Sequence, residues 1–199
     1  MHIQNQTSRE VEDERKDISK AKDGEEEAFG RLYDKYMPVI YRFIFLKVGG
    51  QKAQAEDICH EVFLSAWQNI GNFRFQGYPF SSWLYRIASN AVIDYYRTRK
   101  INVNIDFVPE EAVVADVSLN EKFDNQLDLQ TIRVCLKKLE PAYQDVLIMK
   151  FVEELSNKEI SAALQKSEGA VRVIQHRAIK QIKKHIENER SNNQPIKEI

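Results

Sequence analysis

The stretch "LSNKEISAALQKSEGAVRVIQHRAIKQIKK", Leu155–Lys184, holds two helical patterns split by a short turn. Ser156 and Glu159 have the S-x-x-E spacing of a capping box, which satisfies free amide donors at a helix start. Ile160, Ala163 and Leu164 give that helix one apolar face. Ser167 is placed to cap a second helix, with Glu168 set against its positive N-terminal dipole. At about 100° per residue, Val171, Ile174, Ala178 and Ile182 fall on one stripe. Arg172, His176, Arg177, Lys180, Lys183 and Lys184 fall on the other side. Two helices around a tight turn, the second basic on its outer face, predict a helix-turn-helix whose second helix enters the major groove of DNA. A helical hairpin with a solvated basic face is the competing reading.

A net charge of −1 over 199 residues argues against a nucleic-acid binder until it is resolved along the chain. Residues 1–27 carry −4, 28–100 carry +5, 101–130 carry −6 and 131–199 carry +4. Attraction to a polyanion depends on the local patch rather than the total. Two basic modules joined by an acidic linker are therefore expected. Hydrophobic content of 43% suffices for a core, and no apolar run approaches the ~18 residues of a membrane span. The polar, acidic N-terminus has the character of neither a signal nor a transit peptide. Cys59 and Cys135, far apart and only two, suit a reducing cytoplasm and are read as small apolar residues.

Upstream, Phe29, Leu32, Tyr33, Tyr36, Val39, Ile40, Phe43 and Ile44 recur at helical spacing from Glu25 to Val48. Pro38 is expected to kink or divide this helix, and Gly49-Gly50 to end it. A second helix, Gln51 to Ile70, is expected to bury Ile58, Val62, Phe63, Ala66, Trp67 and Ile70. Its opposite face carries Asp57, Glu61, Gln68 and Leu64. A leucine among carboxylates, opposite a complete apolar stripe, marks either a docking face or one stray exposed side chain.

Asn72 to Ser82 follows as a loop dense in aromatics: Phe73, Phe75, Tyr78 and Phe80. The next helix is expected to bury Leu84, Ile87, Ala91, Val92 and Tyr95, with Arg86, Asn90, Asp94 and Arg97 on one exposed face. Trp83 lies at the border. Rings beside guanidinium and amide groups suit single-stranded nucleic acid, because bases stack on rings while arginines meet phosphates. The alternative is that the rings are core. At most one or two of the four loop aromatics are expected to serve a ligand.

"AEDICHEVFLSAW", then "FSSWLYRIASNAVIDYYRTRK", then the helix-turn-helix resemble, in order and separation, the extracytoplasmic-function group of alternative sigma factors, in the sigma-70 family of bacterial RNA polymerase. The resemblance covers residues 25–100 and 130–187. It implies an all-α fold of two small helical domains. Residues 25–100 would form a region 2-like domain, 101–128 an acidic linker running near the RNA exit path, and 129–187 a region 4-like domain. Residues 1–24 are expected to be a disordered tail, and 188–199 a polar tail.

By the same resemblance, Asp57, Ile58, Glu61, Val62 and Leu64 would dock on the clamp helices of the polymerase's largest subunit, with the flap of the second subunit a further contact. Asn72, Trp83, Arg86, Asn90 and Arg97 would recognise and melt the −10 element, together with the loop rings Phe73, Phe75 and Tyr78. Arg172, Val173, His176, Arg177 and Lys180 would face the −35 element, at a helix start formed by Ser167 and Glu168. The family often has glycine in the turn where this chain has Gln165-Lys166. A non-glycine left-handed residue there costs on the order of 1 kcal/mol, so a slightly different turn shape is expected.

The expected partners are core polymerase and promoter DNA, with an anti-sigma factor as a further candidate. No membrane insertion, cofactor or metal is expected, and the expected compartment is the cytoplasm. A free-standing helix-turn-helix regulator is the alternative, but it leaves the aromatic loop and the Leu64 face unexplained. Enzymatic motifs such as GxxxxGK[ST] and GxSxG do not occur, and the four His and two Cys lack zinc spacing.

Overall fold

The computed structural model describes residues 2–75, 77–102 and 126–192. Most of the expected acidic linker and residues 193–199 of the polar tail lie outside the described residues. Those described form eight α-helices and one 3-10 turn, with no strand among them.

The first helix, α1 (His2–Lys22), occupies the segment expected to be a disordered tail. Composition misleads here because few apolar residues are needed once a partner helix is present. Ile18 and Ala21 are buried against α2 (Glu26–Lys47). Arg31 Nη2 lies 2.7 Å from Asp17 Oδ1, and the Tyr36 hydroxyl donates to Glu14 Oε2 at 2.6 Å. Burial, then the Glu14 contact, pushes the Tyr36 hydroxyl far above its ordinary pKa, so it remains a donor.

The second helix runs unbroken through Pro38, so the expected division does not occur. It stops at Gly49-Gly50, where the Gly50 N–H donates to the Phe45 carbonyl at 2.8 Å. Gly49 has φ +71°, and a Cβ there would lie 1.6 Å from Lys137 Cε. The left-handed φ is what favours glycine, since the flexible end of the Lys137 side chain can move aside.

Helix α3 (Lys52–Asn69) and the 3-10 turn Ile70–Asn72 bury Ile58, Cys59, Val62, Phe63, Ala66 and Ile70. Trp67 is half-buried, packed against Phe29 with ring centroids 4.9 Å apart. In α4 (Phe80–Asn102) the core positions are Phe80, Leu84, Tyr85, Ala88 and Val92. Ile87, Ala91 and Tyr95, expected inside, are only half-buried. Tyr85 takes their place, meeting Phe43 edge-on at 5.3 Å. Full burial of side chains this size contributes about 1.5–3 kcal/mol each, which makes this shared aromatic core the main stabilising feature.

Four helices follow: α5 (Gln126–Lys137), α6 (Pro141–Phe151), α7 (Asn157–Leu164) and α8 (Glu168–Asn192). The capping box of α7 forms as expected. Ser156 Oγ accepts from the Glu159 N–H at 3.2 Å, and Glu159 Oε2 accepts from the Ser156 N–H at 2.8 Å. Ser167 Oγ caps α8 through the Ala170 N–H at 3.1 Å. Val171 and Ala178 are buried, and Ile174 and Ile182 half-buried. The last helix continues to Asn192, so residues 188–192 are helix rather than polar tail.

The two sets of helices pack on each other, α7 against α4 and α6 against α2. Ile148, Met149, Ile160 and Val171 join the same buried cluster as Phe43, Ile44 and Tyr85. Two ion pairs cross this junction. Lys47 Nζ donates to Asp145 Oδ1, and the Ser89 hydroxyl donates to Asp145 Oδ2 at 2.8 Å. Arg42 holds Glu153 through two bonds of 2.8 and 2.6 Å, with the Tyr85 hydroxyl donating to the same carboxylate at 3.1 Å. Both cysteines are free and buried, and burial pushes the Cys59 thiol up to about 11, so neither is a reactive thiolate at neutral pH.

Gln165 ends α7 in the left-handed conformation, φ 52°, so the turn keeps the conformation that favours glycine rather than taking the slightly different shape expected. Gln165→Gly is therefore expected to stabilise the chain by about 0.5–1 kcal/mol, and Ser156→Ala to destabilise it by about 1 kcal/mol. Urea unfolding of the two variants beside the parent checks both signs.

Candidate nucleic-acid interface

Three surfaces follow from this packing. The first is the outer face of α3. Asp57, Glu61 and Gln68 are exposed, and Leu64 is 57% exposed among them. Ile58 and Val62, assigned to the same docking set, are fully buried. Their side chains fill the core beneath Phe63 and Ala66, so no partner can touch them. The docking set reduces to Asp57, Glu61 and Leu64.

The second surface lies where the aromatic loop meets the start of α4. Asn72, Phe73, Arg74, Tyr78, Pro79, Ser82, Trp83 and Arg86 line a cavity of about 160 Å³. This arrangement brings five of the eight residues assigned to the −10 element around one space: Asn72, Phe73, Tyr78, Trp83 and Arg86. The rings divide as expected. Phe73 and Phe80 are buried, 5.2 Å apart edge to face, and both pack on the half-buried Trp83. Phe75 is 42% exposed and Tyr78 half-buried. Of the four loop rings, these last two offer surface to a ligand. Phe73 is removed from the contact set by its burial, and Trp83 is divided between core and cavity wall.

Ser82 and Arg74 were not singled out from the sequence. Ser82 Oγ is buried, lines the cavity and has no hydrogen-bond partner. Buried hydroxyls are normally paired, so this one is available to a bound group. Arg74 braces the loop by donating to the Gly71 carbonyl at 2.8 Å. Its signal was present in the alternation of "NFRF", but an arginine between two phenylalanines is equally a solvated loop residue.

Asn90 and Arg97 lie farther along α4, both exposed. Arg97 pairs with Asp94 at 3.1 Å, an exposed contact worth less than about 1 kcal/mol and easily exchanged for a phosphate. Arg86 and Asn90 also face a second cavity of about 470 Å³, whose far wall is Gln165 and Lys166. The loop cavity is likewise bordered by Ala162 of α7, and Lys158 Nζ sits 5.7 Å from the Tyr78 ring centroid.

The third surface is the outer side of α8. Arg172, His176, Arg177 and Lys180 are exposed, and Val173 is 49% exposed between them. Ser167 and Glu168 occupy the helix start as expected, with Arg172 reaching back to Glu168 at 3.4 Å. Basic groups beside an apolar methyl pair fit a major groove, where arginine and lysine read guanine and a small apolar group meets thymine. No group of His, Cys, Asp and Glu among the described residues is arranged to hold a metal. No helix among them is long and apolar enough to cross a membrane.

Residues 32–101 match the family described as Sigma-70 region 2, and residues 129–182 match Sigma-70, region 4. The chain is 34% identical over 174 residues to the ECF RNA polymerase sigma factor BldN of Streptomyces coelicolor, covering 82% of this chain and 62% of that protein. It is 33% identical over 181 residues to the ECF RNA polymerase sigma factor SigW of Bacillus subtilis, covering 86% of this chain and 96% of that one. Among solved structures, its fold is similar to CnrH in complex with the cytosolic domain of CnrY, at TM-score 0.65 and 23% identity over 88% of this chain and 98% of that chain. It is equally similar in fold to the sigma factor RpoE of Bartonella quintana bound to the anti-sigma factor NepR, at TM-score 0.65 and 17% identity over 80% and 96% of the two chains. Both basic modules and their order are thereby accounted for, and the chain belongs to the extracytoplasmic-function sigma factors of the sigma-70 family.

Proposed function

We propose that this sigma factor, which binds core RNA polymerase and directs it to promoters, divides the work among the three surfaces. Residues 25–100 act as the polymerase-binding and −10 unit, and residues 129–187 as the −35 unit. Asp57, Glu61 and Leu64 dock on the polymerase. Asn72, Phe75, Tyr78, Ser82, Arg86, Asn90 and Arg97 receive the opened −10 strand, while Arg172, Val173, His176, Arg177 and Lys180 read the −35 duplex. The chain acts by binding and strand capture in the cytoplasm, with no chemistry of its own. The observation that carries this reading is the loop cavity with its unpartnered Ser82 hydroxyl beside Tyr78 and Arg86. An anti-sigma partner is part of the proposal, because RpoE, of this fold, is bound to the anti-sigma factor NepR, and CnrH to the cytosolic domain of CnrY.

Opening duplex DNA costs a few kcal/mol per unstacked base. Stacking on an aromatic ring returns about 1–3 kcal/mol, so one or two captured bases offset the first steps of melting. Tyr78→Ala and Phe75→Ala are expected to impair initiation from a duplex promoter while a template with a pre-melted −10 bubble restores it. Run-off transcription on the two templates measures the difference. Normal duplex opening by both variants would leave the loop as packing alone.

Leu64→Arg with Glu61→Lys changes exposed side chains only, so the fold should persist. Affinity for core polymerase is expected to fall by about 2 kcal/mol or more, as for a central hot spot. Co-elution with core enzyme is the measurement. A free-standing regulator would show no such complex even with the parent chain.

A further inference from the structure

The N-terminal helix α1 does more than cover α2. Arg15, Ile18 and Lys22 share one stripe of it, three and four residues apart. Ile18 is buried, and the flanking charges reach the aromatic loop. Lys22 Nζ donates to the Phe73 carbonyl at 2.6 Å and lies 5.7 Å from the Phe73 ring centroid. Two turns earlier, the Arg15 guanidinium sits 4.7 Å over the Phe75 ring, the most exposed aromatic of that loop. The helix cannot slide, because Asp17 and Glu14 are tied to Arg31 and Tyr36 of α2.

We propose that Arg15 is a nucleic-acid contact residue and Lys22 a positioning residue for the −10 strand, a proposal that rests on reading the loop as the −10 site. Lys22 fixes the loop backbone at Phe73. Arg15 holds the Phe75 ring from one side and sets a cation beside whatever stacks on its remaining surface, where the phosphate of a captured nucleotide would lie. Neither role requires the loop itself to carry an extra charge.

A phosphate contact and a structural contact differ in their response to salt. Each phosphate neutralised on a single strand contributes about −0.7 to the slope of log K against log salt. Holoenzyme made from the full chain is titrated with a promoter whose −10 region is pre-melted. Arg15→Gln is expected to flatten the slope by about 0.7 and to lower affinity several-fold. Lys22→Met should keep the slope but slow opening of the duplex form, and Lys22→Arg should restore it. If Arg15→Gln leaves slope and affinity unchanged while Phe75→Ala weakens binding, α1 only packs and the proposal fails alone. If Phe75→Ala and Tyr78→Ala are silent as well, the reading of the loop falls with it.

Discussion

Lys47 and Asp145 meet where two basic modules press together, with side chains only 1% and 4% exposed. Removing two charges from water costs several kcal/mol per ion, and their attraction repays this only when the remaining donors and acceptors are satisfied. Ser89 supplies that satisfaction at the second carboxylate oxygen. The geometry of α2, α4 and α6 is set by this demand, since each contributes one member of the triad. Arg42, Tyr85 and Glu153 repeat the pattern on the next turn of α2, with the Glu153 carboxylate 2% exposed. An apolar patch in the same place would bind at least as tightly, because buried pairs are often replaceable by hydrophobic groups without loss. What ions add is register: only one pairing satisfies every donor and acceptor at the junction.

The helix-turn-helix was legible because its signals are local. A capping box, an i, i+3, i+4 stripe and a serine before the second helix each act within one turn, and all three appear where the spacing put them. The left-handed Gln165 was not legible: without glycine a differently shaped turn is expected, yet the chain keeps the strained conformation. The α3 docking face was half legible. Its own periodicity placed Ile58 and Val62 inside, and the structure agrees; assigning them to a partner came from resemblance and overrode the better local argument. In α4, Tyr85 and Ala88 are core while Ile87 and Ala91 are marginal, because the helix is approached from two sides and its buried arc is rotated toward α2.

What the sequence hid is non-local. Lys47 and Asp145 stand 98 positions apart, Arg42 and Glu153 111 apart, and each read alone is an ordinary charged residue. The first helix was hidden by composition. Disorder is expected where a segment cannot bury enough apolar surface, yet among the described side chains of α1 Ile18 and Ala21 are the buried hydrophobics, in addition to its polar ties. Those ties exist only because α2 presents Arg31, Lys35 and Tyr36 at matching heights. Of the two outcomes expected at Pro38, a kink or a division, the division does not occur. A proline removes one backbone hydrogen bond, but the turns on both sides of it are held by the packed faces of α1, α3 and α4, and the helix continues.

The three surfaces are not equally accessible in this packing. Leu64, Asp57 and Glu61 face solvent, and so do Arg172, Arg177 and Lys180. The loop cavity instead has Ala162 on its border, and Lys158 lies near the Tyr78 ring, both contributed by α7. Glu153 lies in the link between α6 and α7, and Asp145 in α6 itself, so the ion pairs that join the modules also fix α7 beside the cavity. The α3 face carries no member of either pair and is presented independently of them.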